Sequence, residues 1–146
     1  DSGEVLAWTL VTLSEETREC NAVVTFDPLP KLACNENALV QLFQNLISNA
    51  VRYCTPGAPP RIHVSAIRSA TEWTFSIADN GMGIEPVHAE RIFELFHRLN
   101  PEREGVGIGL SICRKVVENL RGRIWVESEP GKGSTFRFTI PHYAAN

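Results

Sequence analysis

The order of strand-like and helix-like runs constrains this chain more than any single motif. Arg61 to Ser69 and Glu72 to Ala78 both read as strands, one directly after the other. In the second, Trp73, Phe75 and Ile77 alternate with Thr74 and Ser76, the period of a half-buried strand. Gly122 to Glu127 and Thr135 to Ile140 form another pair, joined by "SEPGKGS", and the strand patterns on either side make "GKGS" a turn. Ala22 to Phe26 is a short β-branched strand closed by "DPLP". Four helix-like runs fall between these strands. Val5 to Cys20 carries Leu6, Leu10 and Leu13 at helical spacing, and Asn35 is placed to cap a long helix reaching about Tyr53. Ala89 to Leu99 is a short helix, and "NPEREGVG" a polar loop. Ile108 to Leu120 offers Leu110, Ile112, Val116 and Val117 to a core, with Gly122 close behind its end. Strands and helices do not alternate strictly as βαβα units. The expected fold is therefore an α+β two-layer α/β sandwich: a mixed, mostly antiparallel sheet with helices on one face.

At 146 residues and 43% apolar content, the chain is expected to form a single domain over residues 1–146 with its own core. A net charge of −3 argues against a broad nucleic-acid or membrane-surface footprint, though not against a local anion site. No apolar run approaches the roughly 18 residues of a membrane span, and no signal peptide opens the sequence, so no direct membrane contact is expected. Cys20, Cys34, Cys54 and Cys113 include no C-x-x-C pair and match no zinc framework. They read as reduced thiols of a cytoplasmic protein.

Three stretches carry chemistry. On the long helix, Asn45, Asn49, Arg52 and Tyr53 lie at i, i+4, i+7 and i+8 and share a face, opposite Leu39, Phe43, Leu46, Ile47 and Ala50. A solvated face usually carries Lys and Glu. From Asn37 to Val51 there is no charged residue, and the polar side is Gln41, Gln44, Asn45, Ser48 and Asn49. Amide oxygens are hard, neutral ligands that suit a Mg²⁺ already shared with phosphates and water. A plain solvated face is the alternative.

The second stretch is "DNGMGI". Asp79 ends a strand on a carboxylate, an acceptor suited to the exocyclic amine of adenine and opposed to the carbonyl of guanine. Gly81 and Gly83 free the backbone to approach a flat ring, and Met82 reads as apolar filler. A hairpin turn is the alternative, but no strand follows. The third is "GVGIGL", a glycine-rich loop opening a helix, which presents free N–H groups to phosphate. No strand precedes it, as a Rossmann motif requires, and no Gly-Lys-Ser ends it, as a P-loop requires.

In order, "LFQNLISNAVRY", "DNGMGI", "RIFELFHRL" and "GVGIGL" resemble the N, G1, F and G2 boxes of the catalytic ATP-binding domain of sensor histidine kinases. "GRIWVESEPGKGSTFRFTIP" is similar to that family's closing hairpin, and the likeness runs from about Val5 to Pro141. The wider superfamily joins gyrase-type topoisomerases, Hsp90 chaperones and MutL ATPases. The resemblance implies a Bergerat-type fold with ATP between the helices and a lid at about His97 to Gly107. It implies Asn49 as Mg²⁺ ligand with Asn45 assisting, both in catalytic positions. Arg52 would reach phosphate and Tyr53 would pack near adenine. Asp79 would accept from the adenine amine, with Gly81, Gly83 and Ile84 shaping that pocket. Phe93 and Phe96 would anchor the lid, and Arg98 and Arg103 would neutralise phosphate charge from it. Gly105, Val106, Gly107, Gly109 and Leu110 form the phosphate loop. Val106 stands where many relatives have Thr or Gln, so a polar lid contact is missing.

A phosphoacceptor box is also missing: in the family the acceptor lies on an apolar helix, followed by an acidic residue and, a few positions on, a proline, and none of His63, His88, His97 and His142 has that setting. The resemblance therefore implies one half of a kinase, a monomer when isolated. It would transfer the γ-phosphate of ATP to a histidine on separate dimerisation helices, in a homodimeric parent that passes phosphate to a response regulator receiver domain. The hydrolase branches place a Glu base where this chain has Asn45, and an amide takes no proton near neutral pH. A degenerate nucleotide- or partner-binding module is the alternative, and an ATP hydrolase a more distant one.

Overall fold

In the computed structural model, which describes residues 1–32, 34–55, 57–84, 92–93 and 109–141, five strands build one sheet. They are β1 Val23–Phe26, β2 Arg61–Arg68, β3 Glu72–Asp79, β4 Ile124–Glu129 and β5 Gly133–Pro141, in the spatial order β1-β2-β3-β5-β4. Only the β1–β2 pair is parallel; β2–β3, β3–β5 and β4–β5 are antiparallel. The described helices are α1 Ser2–Thr12, α2 Ser14–Glu19, α3 Glu36–Arg52 and α4 Gly109–Asn119, and α3 packs between α1 and α4. This is the α+β sandwich with a mixed, mostly antiparallel sheet that the order of runs implies.

Cross-strand register decides which face is the core. Val64 pairs with Ile77, which pairs with Phe136; Ala66 pairs with Phe75, which pairs with Phe138. These rows face the helices, and Phe43 of α3 meets both Phe75 and Phe138 edge-on, at 6.1 and 6.4 Å. The alternate rows, such as His63–Ala78–Thr135 and Ser65–Ser76–Arg137, carry the polar residues of the other face. Period-2 patterning thus sorts each strand between core and solvent.

Three details differ from the sequence expectation. The first helix is two helices, broken at Leu13 (φ −92°, ψ 11°). The hydroxyls of Thr9 and Thr12 donate to the carbonyls of Val5 and Trp8 four residues back, at 2.8 and 3.2 Å, a bond that bends helices. It also starts earlier than Val5, because the Asp1 carboxylate caps it by accepting from the Gly3 amide at 2.8 Å. Finally, the left-handed residue behind α4 is Arg121 (φ 66°), not Gly122. The amides of Arg121 and Gly122 close a Schellman motif onto Glu118 and Val117. Gly122 is needed for a different reason: a Cβ there would overlap the carbonyl of Thr139.

None of the four cysteines is in a disulfide, and Cys113 is buried. Among the described residues no helix is long and apolar enough to cross a membrane.

Candidate functional site

β3 ends on Asp79, which pairs with Ser134 of β5 on the helix side of the sheet. Asp79 Oδ1 accepts from the Gly81 amide at 2.8 Å and from the Ser134 amide at 3.3 Å. Burial pushes its carboxyl above the ordinary value, and these two N–H groups pull it back only in part. Both bonds fall on Oδ1.

The chain after Asp79 forms no second strand because it is wedged between two other elements. The Met82 amide donates to the carbonyl of Tyr53, the C-cap of α3, at 3.1 Å. Gly81 lies so close to the same carbonyl that a Cβ would stand 2.6 Å away. On the other side, the Gly131 amide of the β4–β5 turn donates to Met82 O at 2.7 Å, and Ile84 N donates to Ser128 Oγ at 2.7 Å. Gly83 has φ +76°, and a Cβ there would overlap the carbonyl of Glu129. Only glycine meets both demands.

These contacts shape a narrow cleft lined by Asn49, Ala50, Tyr53, Asp79, Gly83, Ile84, Ser134 and Phe136. Asn49 and Asp79, 30 positions apart in sequence, therefore line one cleft. Asn45 lies one turn earlier on α3, about 6 Å along the helix axis. Its amide nitrogen donates to Gln41 O at 2.9 Å, and its Oδ1 points at Gly109, 3.3 Å from where a Cβ would stand. Gly109 opens α4. The asparagine face thus runs from a half-buried carboxylate to a helix N-terminus, an end that favours anions. Leu110 is half-buried against the core, and Arg52 is exposed in the last turn of α3.

Among the described residues no group of three His, Cys, Asp or Glu could hold a metal. On the asparagine face the oxygen donors are side-chain amides, which fit a hard cation that brings substrate phosphates and water rather than an all-protein cage.

Phe93 is buried and meets Phe136 edge-on at 6.1 Å. Phe96, Arg98, Arg103, Gly105, Val106 and Gly107 lie outside the described residues, as do His88, His97 and His142. His63 is on the outer face, with Nε2 3.1 Å from Asp27 Oδ1 and Nδ1 2.7 Å from Thr25 Oγ1. Sequence reasoning missed Ser128, Ser134 and Phe136. The signal lay in "GKGS", which is a turn, as expected, but one whose last two residues already belong to β5 and pair toward Asp79. A larger groove of ≈590 Å³ runs along β4 and α4, lined by Phe93, Arg114, Glu118 and Trp125 among others, and contains neither Asp79 nor a residue of the asparagine face.

Residues 34–144 match the family described as histidine kinase-, DNA gyrase B-, and HSP90-like ATPase. The chain is 49% identical over 134 residues to cyanobacterial phytochrome A of Nostoc sp., covering 90% of this chain but 17% of that protein. The nucleotide-free catalytic domain of histidine kinase ThkA superposes with a TM-score of 0.80 at 28% identity, over 96% of this chain and 91% of that one. Full-length ShkA in complex with AMPPNP gives a TM-score of 0.83 at 28% identity, over 97% of this chain and 30% of that one. The chain spans less than a fifth of the length of the phytochrome it matches.

Proposed function

The chain belongs to the family of histidine kinase-, DNA gyrase B-, and HSP90-like ATPases, and from that premise we propose that it is the ATP-binding catalytic part of a protein-histidine kinase. The observation that carries this reading is the one cleft lined by Asn49 and Asp79, with Asn45 one turn along α3 beside the start of α4. Adenine sits at Asp79, its amine donating to the carboxylate. The triphosphate lies along the asparagine face toward the N-terminus of α4. Asn49, assisted by Asn45, would hold a Mg²⁺ that arrives with the phosphates, and when bound that ion neutralises phosphate charge. The complex of ShkA with AMPPNP supports a nucleotide in this fold.

Transfer is favoured over hydrolysis by Asn45. It already donates to Gln41 O, its oxygen faces Gly109, and no protonation state makes it a base for water. Phosphoryl transfer needs chiefly positioning and charge stabilisation, which the cleft and helix end supply. The acceptor is a histidine on separate dimerisation helices of a homodimeric parent, with this domain in the cytoplasm, and the phosphate then passes to a response regulator. The test mixes this chain with an acceptor-helix domain and ATP labelled in the γ-phosphate. Label on the acceptor histidine is the expected result. Label released only as inorganic phosphate points to a hydrolase, and nucleotide binding without either product points to a degenerate module.

A further inference from the structure

Ser128 has no place in the reading above, yet it bonds to both walls of the cleft. Its Oγ accepts from the Ile84 amide at 2.7 Å, donates to the carbonyl of Gly133 at 3.0 Å, and lies 2.8 Å from Ser134 Oγ. Ile84 is buried and belongs to the loop after Asp79; Gly133 and Ser134 are the first residues of β5. Ser128 pairs with Ser134, and Ser134 with Asp79, so the three side chains form one row across the helix side of the sheet. Because the Ile84 amide comes from a non-strand segment, no ladder bond supplies its partner. This hydroxyl, together with the Gly131 amide on Met82 O, therefore stands in for the strand pairing that the loop lacks.

We infer that Ser128 is a positioning residue for the base-binding end of the cleft: its hydroxyl locks the loop from Asn80 to Ile84 onto the β4–β5 hairpin and thereby sets the spacing between Asp79, Gly83 and Ser134. This rests on the reading of the cleft as a nucleotide site. Alanine leaves a buried N–H without a partner, whereas threonine keeps an oxygen in place. Ser128 touches neither phosphate-end residue, Asn45 or Gly109, so its loss weakens recognition of the base and not of the phosphates.

The experiment compares wild type with Ser128→Ala, Ser128→Thr and Ser128→Cys. It measures affinity for ATP and for inorganic tripolyphosphate by calorimetry, and exchange of the Ile84 amide without ligand. In Ser128→Ala, ATP affinity falls roughly tenfold, the scale of one hydrogen bond. Tripolyphosphate affinity stays within about twofold, Ile84 exchanges faster, and Ser128→Thr recovers ATP affinity to within about threefold. Ser128→Cys keeps the side chain's bulk with a weak acceptor and behaves as alanine does, which covers the case in which the alanine variant does not fold. Unchanged ATP affinity in the alanine and cysteine variants, equal loss for ATP and tripolyphosphate, or failure of threonine to rescue would overturn the inference. If wild type binds no ATP, the nucleotide reading falls by itself. Ile84 exchange then decides alone: faster exchange in Ser128→Ala upholds the lock, and unchanged exchange removes it.

Discussion

Gly133 packs so tightly on Asp79 that a Cβ on the glycine would overlap the main-chain oxygen of the aspartate. The same glycine has φ +108°, a conformation that L side chains rarely adopt. Asp79 and Gly133 come from separate motifs 54 positions apart. Their contact brings the hairpin turn against the acidic end of β3. Gly133→Ala is therefore expected to destabilise the fold by about 2 kcal/mol or more, the cost of backbone strain plus a displaced strand. It should also weaken nucleotide binding. Urea unfolding of the variant checks the first effect; a midpoint equal to wild type would show that the hairpin yields without cost.

Asp79 combines a stability effect with a binding effect of opposite sign. Its carboxyl is held above its ordinary value chiefly by burial, so ionisation costs the folded state. A raised folded value means that its contribution to stability is fully present below the unfolded value and is lost as pH rises through the folded one. Asp79→Asn keeps an oxygen for the Gly81 and Ser134 amides and removes the charge. Its apo form should match or exceed wild type in thermal stability at neutral pH, and the slope in that pH window should vanish. ATP binding should instead weaken ten- to a hundredfold in Asp79→Ala, the worth of a hydrogen bond to an ionised group at about 1.5–3 kcal/mol. Asp79→Asn, which presents a donor to the adenine amine, should bind no better. Calorimetry with unchanged affinity would remove Asp79 from the site.

Asn49 and Asn45 lie one turn apart, but only Asn49 lines the cleft with Asp79. Asn49→Ala should abolish the enhancement of ATP affinity by magnesium while leaving magnesium-free affinity within about threefold, less than one typical hydrogen bond. The measurement is a pair of titrations, with magnesium and with a chelator. An equal magnesium enhancement in both proteins would place the metal elsewhere.

Cys113 is fully buried on α4, and burial pushes its thiol up to about 12. Burial also raises Cys34, which is only partly covered. The thiolate is the reactive form. Under native conditions near pH 8, iodoacetamide should therefore label Cys113 more slowly than any other cysteine of the chain, by at least about a hundredfold relative to a free thiol. Peptide mass spectrometry over time reads this directly, and early labelling of Cys113 would mean that α4 opens in the native state.

Local patterning was enough to recover the sheet, three of the helices, the Asn35 cap and the asparagine face of α3. Alternation in β3 and helical spacing in α3 are properties of neighbouring residues. The absence of charge from Asn37 to Val51 is written in the chain whatever it packs against. The break at Leu13 was not legible, because it depends on threonine hydroxyls choosing their own backbone over solvent.

The sequence by itself determined which residues are polar, which are small, and in what order the motifs occur. That order was sufficient for the family and the sheet. Only the tertiary structure decided that the "GKGS" turn also lines the cleft through Ser134, that Ser128 receives the Ile84 amide, and that Asn45 faces Gly109. The reason is physical. Cross-strand register and the approach of α3 to α4 are long-range choices made by burying Phe43, Phe75, Phe136 and Phe138 together, and these glycines and serines take their roles from what that burial brings beside them.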